Sequence, residues 1–191
     1  MNHRTPPKGH VFSPSVPAAR PSHASELERQ MALTHYTSGA LPQTEAFCRD
    51  LCERYPRDGF GWKVLGATLR RMDQVQASLE PMQNAAKLMP QDWEAFNNLG
   101  TTLDLLARAE HAEACFEHAL KLKPDFLEAW RNIAENQRRQ HKTALALNAY
   151  RRIVALAPED EHAAHMAHTL ADEVSANIPA RASTLDQTPM P

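Results

Sequence analysis

A 34-residue period governs this chain. Prolines stand at Pro56, Pro90, Pro124 and Pro158, and aromatics at Trp62, Phe96 and Trp130. Aliphatics follow at Leu65, Leu99 and Ile133, and small residues at Gly66, Gly100 and Ala134, every column stepping by 34. Columns held in one register identify a tandem array, in which a unit too small to bury its own apolar face stacks on copies of itself. The internal spacing gives the unit's shape. In residues 93–126, Phe96, Leu99, Gly100 and Leu103 recur at helical intervals, and Ala112, Phe116, Ala119 and Leu120 do so again after a short polar break. Two amphipathic helices joined by a turn and closed by Pro124 account for that pattern.

The period divides the chain into a tail at 1–24, repeats at 25–58, 59–92, 93–126 and 127–160, a cap helix at 161–174 and a second tail at 175–191. Pro6, Pro7, Pro14, Pro17 and Pro21, with little apolar periodicity between them, give the first stretch the composition of a flexible segment. Ser25 followed by Glu28 has the form of a capping box and opens a helix running to about Ser38. Gly39 supplies the turn, and Pro42 suits the start of the second helix. The first repeat is the most divergent, as expected of a terminal copy with one face towards solvent. Two positions in the second repeat strain the pattern. Asp73 stands where a turn glycine would be easiest, and Pro81 predicts either a kink or a later helix start. In the cap helix, Ala163, Met166, Ala167, Leu170 and Val174 share one side, with charged and histidine residues on the other.

A net charge of -2 argues against a nucleic-acid binder. The basic N-terminus lacks an apolar stretch after it, and no apolar run approaches the ~20 residues of a membrane span. A soluble cytoplasmic protein is therefore expected, with no membrane contact. Cys48, Cys52 and Cys115 lack a disulfide framework and read as reduced thiols, the first two buried rather than redox-active. His111, Cys115 and His118 share a helix face, as do neighbouring pairs among His162, His165 and His168. Either stripe offers zinc-type ligands, yet the phase of each places it on an outer face, and exposed polar positions are the reading adopted. With no phosphate-cradling glycine loop, nucleophile elbow or zinc-protease motif, neither enzymatic activity nor a cofactor is expected.

The columns of residues 25–160 resemble the tetratricopeptide repeat family. The third copy shows the family's signature classes in order at Phe96, Leu99, Gly100, Ala112, Phe116, Ala119 and Pro124, with Leu103 in place of the usual tyrosine. The resemblance implies an all-α, right-handed superhelical solenoid of about four repeats plus a C-terminal capping helix. The stretches GFGWKVLGATLRRM, EAFNNLG and LKPDFLEAW further resemble the repeat arrays that precede protein O-linked N-acetylglucosamine transferases and related bacterial glycosyltransferases. Nothing after Asp160 has the size of their catalytic domains, so a recognition module is implied.

In this family the first helix of each pair lines a concave groove, and the residue before the conserved aliphatic position points into it. Carried over, these residues are Gln30, Val64, Asn98 and Asn132. The transferase arrays place an asparagine ladder there, whose amides pair with the backbone of an extended peptide. Asn98 and Asn132 keep two rungs, Gln30 is a third, and Val64 interrupts the series. The expected groove set is Lys63, Arg70, Asn97, Asn98, Thr101, Asp104, Arg131, Asn132, Glu135 and Arg138, flanked by Arg71, Glu94, Glu128 and Arg139. Cations exceed anions here, which favours an acidic or C-terminal carboxylate peptide, with a solvated charged face as the alternative. Chaperone-binding members clamp a carboxylate with a lysine and an asparagine four residues later; Lys63 is present, but Ala67 holds the partner position. The expected function is a non-enzymatic adaptor for a protein or peptide partner. Alternatives are a substrate-recruiting subunit of a glycosyltransferase system and a small chaperone for a secreted substrate.

Overall fold

A computed structural model describes residues 22–176, so most of both expected tails lies outside the described residues. Among the described residues there are helices only: α1 Glu26–Thr37, α2 Leu41–Arg54, α3 Gly59–Arg71, α4 Val75–Leu88, α5 Trp93–Leu105, α6 Ala109–Leu122, α7 Leu127–Arg139, α8 Thr143–Leu156 and α9 Glu161–Ala176. The first residues of α3, α5, α7 and α9 step by 34, as do those of α2, α4, α6 and α8. Pro81 leaves that register intact: α4 begins at Val75, in phase with its neighbours, and carries the buried proline within it. The later start is not adopted.

Local chemistry sets the helix ends. The Ser25 hydroxyl accepts from the Glu28 N–H while the Glu28 carboxylate accepts from the Ser25 N–H at 2.7 Å, completing the capping box. Asp58 and Asp92 cap α3 and α5, and Asp160 accepts from the Ala163 N–H at 2.9 Å. The turns follow the same lattice. Gly39, Asp73, Ala107 and His141, each 34 residues after the last, adopt φ of 79°, 59°, 57° and 58°. Antiparallel reversal after the inner helix demands this left-handed residue, and only the first copy uses glycine for it.

Packing explains the columns. The indole N–H of Trp62 donates to the Pro56 carbonyl at 3.2 Å, and that of Trp130 to the Pro124 carbonyl at 2.9 Å. The two tryptophans of the aromatic column thus tie the start of one repeat to the proline closing the last. Cys48, Met82, Phe116 and Tyr150, again 34 apart, are the buried knobs of the outer helices. A Cβ on Gly100 would lie 2.6 Å from the Phe116 ring, so the small column exists to admit that knob. Cys48 and Cys52 are buried free thiols, matching the structural role expected for them.

The odd-numbered helices α1, α3, α5 and α7 touch in sequence, whereas α2, α4, α6 and α8 make no comparable contact with one another. The odd row therefore forms the inner side of the solenoid. Two tail boundaries need correction. Ala24, placed in the N-terminal tail, is buried, and its N–H donates to Asp58 at 2.8 Å. Ser175 and Ala176, placed in the C-terminal tail, extend α9. The two ends also differ. Leu27 and Met31 on α1 are 67% and 41% exposed, while α9 buries Ala163 and Leu170 and turns Ala164, His165 and His168 outward.

Candidate binding groove

The groove begins with a device at the repeat junctions. Arg29, Lys63 and Arg131 hold the same place in α1, α3 and α7. Each reaches the aspartate that caps the next inner helix: Arg29 to Asp58, Lys63 to Asp92 and Arg131 to Asp160, all at 2.8 Å. One carboxylate oxygen takes N–H groups of the helix that follows and the other takes the cation, joined at Asp58 by the Ala24 N–H, so a single aspartate both starts a helix and clamps two repeats. Lys63 also pairs with Glu94 at 3.0 Å. Burial alone would depress its ammonium, but Asp92 and Glu94 outweigh that and hold it above the ordinary lysine range. Lys63 and Arg131 are thus engaged within the array. The sequence carried the signal for this: each cation precedes its aspartate by 29 residues.

The third junction departs from the device. Asn97 replaces the cation and Phe126 replaces the aspartate, leaving α7 without a side-chain cap. Asn97 is 2% exposed, covered by α7 rather than open on the groove wall where the sequence reading placed it. Its Nδ2 donates to Glu128 Oε1 at 3.1 Å and its Oδ1 accepts from Asn132 Nδ2 at 2.9 Å. A carboxylate only accepts, so Glu128 orients both amides in turn. Asn132 is left with its Oδ1 unbonded among the described residues. Asn98 presents the reverse: its Oδ1 and backbone carbonyl both accept from Arg70, each at 3.1 Å, leaving Nδ2 without a partner there. Thr101 donates to the Asn97 carbonyl at 2.9 Å. Val64 is buried in the core rather than pointing into the groove, and Gln30 is exposed on α1.

Charges elsewhere in the groove are mostly matched. Asp104 accepts from Asn136 at 2.8 Å and pairs with Arg139. Glu135 pairs with Arg138 at 2.7 Å and accepts from the Tyr150 hydroxyl at 3.3 Å. Arg138, foremost, holds the Glu135 carboxyl below its usual range. The excess of cations read from the sequence is therefore largely neutralised in place. Among the expected groove cations, Arg70 has no carboxylate within 4 Å among the described residues.

One feature escaped the sequence reading. A cavity of about 320 Å³ opens where α7, α8 and α9 meet, lined by Arg131, Glu135, Tyr150, Ile153, Asp160 and His162. Its only sequence signal is the return of the cation–aspartate spacing at Arg131 and Asp160. Neither histidine stripe gathers a metal site: among the described residues no group of three His, Cys, Asp or Glu is placed to hold an ion. His118 instead stacks on Phe96, with ring centroids 3.9 Å apart, and His168 faces Asp172 at 3.2 Å. Burial pushes the Cys48 thiol up to about 12 and that of Cys115 to about 11, which suppresses thiolate chemistry.

A solenoid of helical hairpins with its signature residues turned into the stack and polar side chains along the inner row is a tetratricopeptide-type array. Residues 94–126 match the tetratricopeptide repeat family model. Solved structures share the fold. A crystal structure of MamA superposes with a TM-score of 0.71 at 14% identity, covering 78% of this chain and 81% of that one. YrrB, described as a tetratricopeptide repeat protein with an unusual peptide-binding site, gives 0.71 at 15% identity over 81% of this chain and 80% of its own. PilF of Pseudomonas aeruginosa gives 0.69 at 19% identity, over 82% and 71%. No curated protein matches the chain by sequence. No helix among the described residues is long and apolar enough to cross a membrane.

Proposed function

We propose that this protein is a non-enzymatic interaction module that holds an extended peptide segment of a protein partner along α3, α5 and α7. One observation carries the reading. Asn98 and Asn132 occupy the same place in successive inner helices, and each keeps one amide group unbonded among the described residues, a donor on Asn98 and an acceptor on Asn132. Those are the two groups a peptide unit needs. Packed helices lie roughly 8–10 Å apart, and extended chain rises about 3.3 Å per residue, so successive rungs address about every third residue of a ligand. Backbone recognition at that spacing leaves the sequence of the ligand to other side chains.

Display selection of random 12-residue peptides on the full chain supplies ligands for the test. The Asn98→Ala/Asn132→Ala double variant is expected to weaken the selected peptides about tenfold or more, as two hydrogen bonds at ~1 kcal/mol each predict. Unchanged affinity would remove the groove from the mechanism. The likeness of Asn98 and Asn132 to the transferase ladder gives a narrower form of the proposal, in which the held peptide is an acceptor for a glycosyltransferase. That form predicts that sugar transfer by a co-purifying transferase depends on this protein.

A further inference from the structure

Arg70 differs from the other cations of the inner row. Arg29, Lys63, Arg131, Arg138 and Arg139 each meet a carboxylate within 4 Å. Arg71 lies over the Tyr36 ring at 4.7 Å and donates to its carbonyl at 2.7 Å. Arg70 is half-buried between α3 and α5, and both its hydrogen-bond acceptors are neutral oxygens of Asn98. A guanidinium has five N–H groups, of which two are used here. A partly desolvated charge without a counterion is a costly arrangement, because Coulomb attraction normally offsets part of the lost hydration. Burial is the dominant influence on this group and depresses its affinity for its proton, against weaker pulls from Tyr36 and Glu128. Glu128 is near enough to be felt but lies beyond ion-pairing distance, and Asn97 already donates to it.

We propose that Arg70 is the anchor for a ligand carboxylate in the peptide groove. Its remaining N–H groups suit the two oxygens of a carboxylate in a bidentate pair. The Asn98 Nδ2, on the same amide whose oxygen steadies the guanidinium, adds a donor beside it. This inference rests on the groove reading and narrows it to peptides carrying an acidic group at one fixed register. The carboxylate is an aspartate or glutamate side chain, or else a chain terminus; both present the same two oxygens.

The probes are the display-selected 12-mers, synthesised with free and amidated C-termini, and with the acidic residue changed to its amide. Binding to the full chain is measured by fluorescence anisotropy for wild type, Arg70→Gln and Arg70→Lys, with circular dichroism confirming the fold of each. Selected sequences are expected to share one acidic position. Arg70→Gln should weaken the acidic peptide at least tenfold and its amide analogue less than threefold, a coupling that a merely structural role would not produce. Arg70→Lys should retain the salt dependence while losing most of the affinity. Loss on amidating the terminus assigns the carboxylate to the chain end, and no loss assigns it to the side chain. Equal losses for acidic and amide peptides under Arg70→Gln would overturn the carboxylate assignment. Selected peptides that lack an acid yet need Asn98 and Asn132 would do so too, while leaving the groove intact. Peptides indifferent to Asn98, Asn132 and Arg70 together would overturn both.

Discussion

The junction between the second and third repeats and the junction between the third and fourth occupy equivalent lattice points with opposite chemistry. At the first, Leu79 on α4 and Leu103 on α5, 24 residues apart, are buried in one apolar cluster. At the second, 34 residues on, the same two points are Glu113 on α6 and Gln137 on α7, 7% and 5% exposed and bonded at 2.9 Å. Gln140 adds a hydrogen bond at 3.1 Å, and Lys142 closes the pair with an ion contact. Burial would raise the Glu113 carboxyl, but Lys142 and the two glutamines together pull it below its usual range. Asn136, likewise buried, bridges to Asp104 and to the Ala109 carbonyl. The Gln137 Oε1 is buried without a partner, so one backbone lattice accepts either an apolar pair or a polar network that is satisfied at all but one atom. The polar version tolerates only its own partners, because an orphaned buried group is penalised where a mismatched leucine is not.

That contrast predicts the largest mutational effect. Glu113→Leu alone should destabilise by about 2–4 kcal/mol in urea unfolding, because Gln137 is left buried without its partner. Glu113→Leu/Gln137→Leu, which copies the neighbouring junction, should return to within about 1 kcal/mol of wild type. A double variant as unstable as the single one would show that the lattice points are not equivalent.

Next in size is a comparison of knobs. Gly100→Ala drives a Cβ into the Phe116 ring, whereas Gly66→Ala meets the Met82 side chain, with contacts of 2.8 to 2.9 Å. The rigid ring should make Gly100→Ala cost about 1–3 kcal/mol, and the flexible thioether should make Gly66→Ala cost less. Thermal midpoints of the two variants compare them directly.

The cation–aspartate junction can be split by substitution. Asp92→Ala removes both the α5 cap and the Lys63 pair and should cost about 1–2 kcal/mol, while Asp92→Asn keeps capping ability and should cost about 0.5 kcal/mol. Among the turns, Ala107→Gly should stabilise by up to about 1 kcal/mol, because relief of the left-handed strain exceeds glycine's extra unfolded-state entropy.

The smallest effect is the part of the pH dependence that Glu28 contributes in the first repeat. The Ser25 backbone, the Ser25 hydroxyl and Arg54 lower the Glu28 carboxyl from 4.5 to about 2. A depressed folded-state pKa stabilises above 4.5, and that contribution is lost as pH falls towards 2. Glu28→Gln should therefore flatten the acid limb of the thermal midpoint in that window without changing the neutral baseline's shape.

Much of the fold was legible because the repeat prints its packing demands at a fixed interval. Pro124, Trp130 and Gly100 each mark a contact that one repeat makes with itself or its neighbour, and periodicity exposes such contacts without coordinates. Asp73 is a residue type that suits a turn, and Ala107 and His141 share its positive φ at the same point of the lattice. Alanine does not advertise a positive φ and histidine does so only weakly, so the lattice imposes it. The groove was less legible. Lys63 and Arg131 look like ligand cations in isolation, and Asn97 looks like an open amide. Their partners Asp92, Asp160 and Glu128 lie about thirty residues away on the next inner helix, a separation that helical periodicity within one repeat does not reveal.

The sequence by itself determined the repeat, its 34-residue pitch and the residues that stack, because identical local demands recur and leave identical columns. Tertiary structure alone decided which polar side chains of the inner row remain available. That choice depends on pairing across junctions: Lys63 meets Asp92, Asn97 is covered by α7, and Arg70 is left beside Asn98 without an opposite charge among the described residues.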